Sequence, residues 1–158
     1  MLPEGYQLRV GSGKDRALLL QFMSWNYQEL FPHQQDFSHL ADTLEKYFSP
    51  DMPLWWIESA VEGQKRATPV ACLWMGNSID QVRGDRYAHI FLLYVTPQHR
   101  RRGIGTALMN RAQDWAKARG DRQISIQVFQ GNQSAINLYR RLGYQTWSLL
   151  MLKPLLSE

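Results

Sequence analysis

The chain reads as an α/β protein of the mixed α+β kind: a central mixed sheet, mostly antiparallel, with helices on both faces. Three observations predict this. Strand-like apolar runs and runs at helical spacing succeed one another in the order β-α-α-β-β-β-α-β-α-β. The strands at 54–61 and 69–75 are joined by the short polar turn "EGQKRATP", which makes an antiparallel hairpin. The runs 87–95 and 123–129 are instead separated by a long helical crossover, the connection that joins parallel strands with a right-handed turn. A length of 158 residues suits one domain, 1–158, with its own core.

Each element has a local cause. "YQLRV" (6–10) is a short strand. Ser12 or Asp15 caps a helix to about Leu30, with Leu18, Leu19, Phe22, Met23 and Tyr27 on its apolar face. "FPHQQDF" breaks that helix, and Asp36 or Ser38 caps the next, carrying Leu40, Leu44, Tyr47 and Phe48. "SPDMP" ends it. "GNSIDQVRGD" reads as a polar loop before "YAHIFLLYV" (87–95), the most apolar strand and the central one. Thr96 to Arg102 is a loop, and Gly105 to Arg119 is a helix stopped by Gly120. "QISIQVF" (123–129) alternates Ile124, Ile126 and Val128 against Ser125 and Gln127, a strand with two unlike faces. "NQSAINLYRRLG" is a short helix between Asn132 or Ser134 and Gly143, and "YQTWSLLML" (144–152) closes the chain as a strand. The six tryptophans fall in helices and strands, which places them in the core.

Composition excludes several classes. No run of 18 apolar residues exists, so no transmembrane helix is expected. "MLPEGYQLRV" lacks the apolar core of a signal peptide, which leads us to expect a soluble cytoplasmic protein. A lone cysteine, Cys72, rules out an internal disulfide and a cysteine-cluster metal site, and its apolar surroundings make it a packing residue. No metal site is expected. Charge is polarised: residues 1–82 carry net −4 and residues 83–158 net +8. The basic half suggests an anionic ligand there. Nucleic acid is one such ligand, but neither zinc-finger spacing nor an RRM-type aromatic signature is present.

The densest charge lies in "QHRRRGIGTAL" (98–108), where three arginines run into Gly-Ile-Gly at the start of a helix. Glycine lets a ligand approach the backbone. The first N–H groups of a helix lack internal partners, and its dipole makes that end positive. Loop and helix N–H groups with Arg100, Arg101 and Arg102 together form a phosphate cradle. It is neither of the two commonest cradles. The dinucleotide fingerprint would need glycine where Leu108 stands, and the Walker loop needs Gly-Lys-Ser/Thr where this chain has Gly105-Thr106.

Arg-x-x-Gly-x-Gly (100–105) follows "FLLYV" and the turn "TP", and "NQSAINLYRRLGY" (132–144) comes about 27 residues later. In the second block Asn132, Ala135, Tyr139, Gly143 and Tyr144 fit the pattern Asn-x-x-Ala-x-x-x-Tyr-x-x-x-Gly-Phe/Tyr. This succession resembles the GCN5-related N-acetyltransferases, the GNAT superfamily. The good match covers 87–153; residues 1–86 match in the order of elements alone.

The resemblance implies a GNAT fold in which the strands at 87–95 and 123–129 splay apart, often at a bulge. It implies an acetyl-CoA-binding core at 87–144 and an acceptor side in 1–86. Acetyl-CoA would be the acyl donor, its pyrophosphate on the backbone of Arg100, Arg101, Arg102, Gly103, Ile104, Gly105 and Thr106. Its pantetheine arm would pair as an added strand with Leu93, Tyr94 and Val95. An oxyanion would be met by the N–H of Tyr94 or Val95. Asn132 would contact the donor; read from the residues alone it is a helix cap. Tyr139 would touch the donor and return a proton to the departing thiolate. His89 stands where several branches carry a glutamate, so either His89 or a water takes the proton from the amine. The acceptor, a small or protein amine, would lie near "NYQELFPHQQDF" (26–37), where Tyr27, Phe31, His33 and Phe37 either shape a pocket or pack under the loop. Membrane and nucleic acid are not expected partners, and a homodimer is open. The rival readings are a non-catalytic CoA-binding regulatory module and a nucleic-acid-binding protein.

Overall fold

The computed structural model describes residues 1–60 and 66–156, which leaves part of the predicted hairpin turn outside the described residues. The chain forms two compact units, Met1–Gln127 and Val128–Glu158.

The first unit carries a five-stranded sheet in sequential order: β1 (Tyr6–Val10), β2 (Leu54–Ser59), β3 (Thr68–Ile79), β4 (Arg86–Val95) and β5 (Ile124–Ile126). The first three neighbouring pairs are antiparallel, and β4–β5 is parallel. Between β1 and β2 lie α1 (Arg16–Leu30) and α2 (Leu40–Tyr47), and α3 (Ile104–Arg119) makes the crossover from β4 to β5. The polar stretch 76–79, expected as loop, extends β3 instead; Asn77 and Ser78 pair with Ala88 and Tyr87. Backbone pairing there outweighs side-chain polarity, because an antiparallel ladder satisfies its N–H and C=O groups whatever the side chains are.

Local chemistry sets the helix ends. Ser12 and Asp15 form a reciprocal capping box around a short 3-10 turn, Gly13–Asp15, from which α1 starts. α2 begins one residue later than the capping signals suggested. His39 is its first flanking residue, and Asp36 spends its carboxylate on the Ser38 N–H at 2.9 Å. Gly120 closes α3 in the left-handed conformation, φ 94°.

Strand alternation divides the core. Leu54, Trp56, Cys72, Trp74, Leu92 and Tyr94 pack with Leu19, Phe22 and Met23 of α1 and Leu40 and Leu44 of α2. Cys72 is fully buried, and burial pushes its thiol pKa up, so it is a packing residue as expected. Trp55, Ile57, Ala71, Leu73 and Met75 alternate to the other face, which α3 covers with Ile104, Leu108 and Ala112; Arg111 of α3 lies 5.1 Å over Trp55.

One irregularity positions the site. Trp74 pairs with Leu92, but Met75 pairs with Ile90, so Phe91 is an extra residue in β4. Alternation reverses across it: Ile90 and Ala88 face α3, while His89 joins Phe91 on the α1 side. The Phe91 ring lies over Gly76, where a Cβ would come within 2.1 Å of it. Trp74, His89 and Tyr47 surround that ring at centroid distances of 4.7, 5.2 and 5.3 Å.

The second unit holds α4 (Gln133–Arg141), which Asn132 caps by accepting the Ala135 N–H at 3.4 Å. Gly143 follows at φ 95°. The expected strand 144–152 does not form; residues 145–155 have no regular structure, and Trp147, expected in the core, is exposed. A strand needs a partner strand for its hydrogen bonds, and the described sheet ends at β5. The predicted strand 123–129 likewise shrinks to Ile124–Ile126.

Gly76→Ala should lower stability by about 1–3 kcal/mol through overpacking against Phe91, read as a lower midpoint in thermal denaturation followed by circular dichroism. Gly131→Ala, at a position open to space, should cost less.

Candidate donor and acceptor site

The ladder between β4 and β5 covers Ala88, His89 and Ile90 against Ile124, Ser125 and Ile126, and goes no further. From the Phe91 bulge onward, β3 is the strand that pairs with β4 among the described residues. The phase of the β3–β4 ladder then decides which groups face outward. The Thr96 N–H bonds the Val70 carbonyl at 2.8 Å, which makes Val95↔Ala71 a pair without mutual hydrogen bonds. Tyr94 therefore spends its N–H and C=O on Cys72, whereas Leu93 and Val95 turn theirs to the open edge. Of the two N–H groups considered for an oxyanion, Val95 faces that edge and Tyr94 does not; Leu93, which the resemblance assigned only to the pantetheine arm, does. Only hydrogen-bond phase could have found it.

The loop after β4 makes a 3-10 turn at Pro97–His99 and enters α3 through two left-handed residues, Arg101 at φ 63° and Gly103 at φ 83°. A Cβ at Gly103 would meet no atom within 4 Å, so what glycine supplies there is the dihedral angle. The first helical bond runs from the Ala107 N–H to the Gly103 carbonyl, so the N–H groups before it have no acceptor within the helix. Arg100, Arg101, Arg102 and Gly103 are exposed, and Thr106 is half-buried. Ile104 is an anchor: its side chain is buried and only its backbone can serve a ligand.

The three arginines have different surroundings. Arg102 donates to the Tyr6 hydroxyl at 2.6 Å, and Tyr6 bonds His99 Nδ1 at 2.7 Å. His99 is pushed below the ordinary histidine pKa by partial burial and by Arg102. Arg100 donates from Nε to the Val95 carbonyl at 2.8 Å and from Nη2 to both carboxylate oxygens of Glu29, at 2.9 and 2.8 Å. The Tyr94 hydroxyl donates to the same carboxylate. Burial, then Glu29, push that hydroxyl pKa well up, so it stays protonated.

Beside this cluster is an open cavity of about 440 Å³, lined by Trp25, Gln28 and Glu29 of α1 and by Tyr94, Thr96, Pro97 and Gln98. Positions 25, 28 and 29 share one helix face. The Thr96 hydroxyl is buried there with no protein partner among the described residues. Tyr27, Phe31, His33 and Phe37, which the sequence allowed either to shape a pocket or to pack under the loop, are not among the residues lining this cavity. Tyr27 and Phe31 stack on each other at 6.4 Å, and Phe37 packs against the core. Trp25, expected in the core, is 37% exposed at the cavity instead.

His89 is half-buried on the α1 face, with Nδ1 2.7 Å from the Ser125 hydroxyl across the parallel ladder. Burial pushes its pKa below 6.5. In the second unit Tyr139 is buried, its ring 6.1 Å from that of Tyr144; burial, with Tyr144 adding, raises its hydroxyl to about 12. It is protonated throughout the physiological range, so it can act as a proton donor and not as a base.

A mixed sheet whose parallel pair ends at a bulge thus stands beside a glycine-turned loop at a helix N-terminus. The Acetyltransferase (GNAT) family matches residues 19–144, and the chain belongs to that family. An uncharacterized N-acetyltransferase of Methanocaldococcus jannaschii is 40% identical over 74 residues, 47% of this chain and 31% of that protein. Streptothricin acetyltransferase of Streptomyces lavendulae is 44% identical over 50 residues, 32% of this chain and 26% of that protein, so these matches span less than a third of the curated relatives. Among solved structures, a GCN5-related N-acetyltransferase from Ralstonia eutropha shares the fold with a TM-score of 0.69 at 24% identity, covering 96% of this chain and 99% of that one. AAC(6')-Iy, solved in complex with the bisubstrate analog CoA-S-monomethyl-acetylneamine, has a TM-score of 0.64 at 18% identity over 94% and 97% of the two chains. Among the described residues, no helix is long and apolar enough to cross a membrane.

The depressed pKa of His89 has a sign that can be checked. The folded state prefers the neutral ring, so its contribution to stability is present above about pH 6.5 and lost as pH falls through the folded value. Its ring signals in an NMR titration should show a midpoint below 6.5, and His89→Gln should flatten the acid side of the stability profile.

Proposed function

We propose that the chain is an acetyl-CoA-dependent N-acetyltransferase that moves the acetyl group to a primary amine by direct attack in a ternary complex. The observation that carries this reading is the open edge of β4 at Leu93 and Val95, continuous with the N–H cradle at Gly103–Thr106. An extended arm with amide groups fits the edge, and a diphosphate fits the cradle. Family membership and the CoA conjugate bound by AAC(6')-Iy support the same donor.

The residues divide the work as follows. Backbone N–H groups of the 100–106 loop hold the diphosphate, with Arg101 and Arg102 adding charge. Leu93 and Val95 pair with the arm and orient the thioester, and one of their N–H groups meets the developing oxyanion. The acceptor enters from the α1 side, by the cavity at Trp25, Gln28 and Gln98. Its nitrogen forms the C–N bond as the C–S bond breaks; one proton leaves the nitrogen and one reaches the sulfur. Tyr139 supplies the second proton. The first proton passes through a chain of waters toward neutral His89, which at about 3.3 Å per residue lies ~13 Å along the strand from Leu93, farther than a single water spans. Asn132 sets the start of α4 and thereby the place of Tyr139.

Two substitutions separate binding from chemistry. Gly103→Glu places a carboxylate and an unfavourable φ at the cradle, and calorimetry with CoA should show affinity reduced at least about tenfold, or ~1.4 kcal/mol. Normal affinity would remove the cradle. Tyr139→Phe should lower kcat by about 100-fold while CoA affinity stays near wild type, measured by thiol release over an amine and peptide panel. An unchanged kcat would remove the proton-donor role, and CoA binding without turnover on any amine would favour a regulatory module.

A further inference from the structure

The first arginine of the cradle does not face the cradle. Among the described residues, the hydrogen bonds of the Arg100 side chain go the other way: Nε to the Val95 carbonyl and Nη2 to both oxygens of Glu29, with the guanidinium 5.4 Å over the Tyr94 ring. The partners belong to three segments far apart in sequence. Glu29 is on α1, Val95 is on the open edge of β4, and Arg100 begins the loop that becomes α3.

We propose that Glu29 is a positioning residue for the donor site, which holds Arg100 across the open edge of β4 and thereby fixes both the outward carbonyl of Val95 and the entrance of the 100–105 loop. The proposal rests on the N-acetyltransferase reading for what the edge receives. Ordinary surface ion pairs contribute little, because two mobile side chains must be ordered in a high dielectric. This pair is exposed too, at 38% for Glu29 and 42% for Arg100, but it differs in two ways. Glu29 is already oriented by the Tyr94 hydroxyl. Arg100 is already oriented by a backbone carbonyl. The ordering cost is therefore shared among several charge-assisted bonds.

Geometry also says what is held. A carbonyl oxygen has two lone pairs, so Val95 can accept from Arg100 and from an added strand together. The guanidinium thus completes the edge without closing it. It keeps the chain between Val95 and Arg101 in the shape that brings Arg101 and Gly103 into their left-handed turn. Because Glu29 also lines the cavity on α1, the same bond fixes the acceptor side relative to the donor loop.

A double-mutant cycle tests this on the full chain. Glu29→Gln keeps shape and the Tyr94 bond but removes the charge; Arg100→Met keeps length and removes the donors. Each should weaken CoA binding in calorimetry by about five- to tenfold and raise KM for acetyl-CoA in step, with kcat much less altered. The double variant should be no worse than either alone. Glu45→Gln, which breaks the exposed Arg16–Glu45 contact at 3.7 Å, should leave CoA affinity unchanged. Tyr94→Phe, which keeps both charges, should weaken CoA binding by less than Glu29→Gln and serves if the charge variants fold poorly. Additive effects, unchanged CoA affinity in both single variants, or a loss confined to kcat would overturn the proposal while leaving the acetyltransferase reading intact. A wild-type chain that binds no CoA would overturn both.

Discussion

Phe91 has no partner in the ladder between β3 and β4, and its ring needs the space that a glycine at position 76 leaves. Most of the site follows from that extra residue. It reverses the alternation of β4, so Ala88 and Ile90 pack toward α3 while Leu92 and Tyr94 pack toward α1. It coincides with the end of the parallel ladder at Ile90 and Ile126. Beyond it, the backbone of Leu93 and Val95 faces outward. A bulge thus serves here as a device for exposing a strand edge at a chosen place, where an uninterrupted parallel pair would have hidden it.

The electrostatics are less simple than a basic patch. The excess of positive charge in residues 83–158 includes three consecutive arginines, yet one of them is bound to a carboxylate of the acidic half and another to a tyrosine. What faces the loop is chiefly backbone: successive N–H groups turned by Arg101 and Gly103, and the unpaired start of α3. Such groups are fixed in place and need no reordering to meet an anion. The side chains set long-range attraction and local shape.

Sequence made much of this legible. The strands at 6–10 and 87–95, the helix ending at about Leu30 and that at 105–119, and the glycine stops at 120 and 143 follow from periodicity and from residues with special backbone freedom. These are local causes, and the structure keeps them. The errors share a different origin. Residues 144–152 have strand composition but no strand partner, and composition cannot supply one. Residues 76–79 have loop composition but a partner, and the partner wins. Trp25 reads as core because tryptophan is large and apolar; in the structure it lines an open cavity beside Gln28 and Glu29. Glu29 drew no attention because a glutamate near a helix end is ordinary until its carboxylate is found beside Tyr94 and Arg100.

By itself, then, the chain determined its element order as far as α4, its glycine-turned loop and its membership-bearing motifs, because each depends on residues within a turn or two of one another. Tertiary structure alone decided which amides of β4 face outward, where the parallel strands part, and which arginine pairs with which acid. Those depend on ladder register and on contacts across 65 to 71 positions of sequence, and a register is set by neighbours that no local pattern contains.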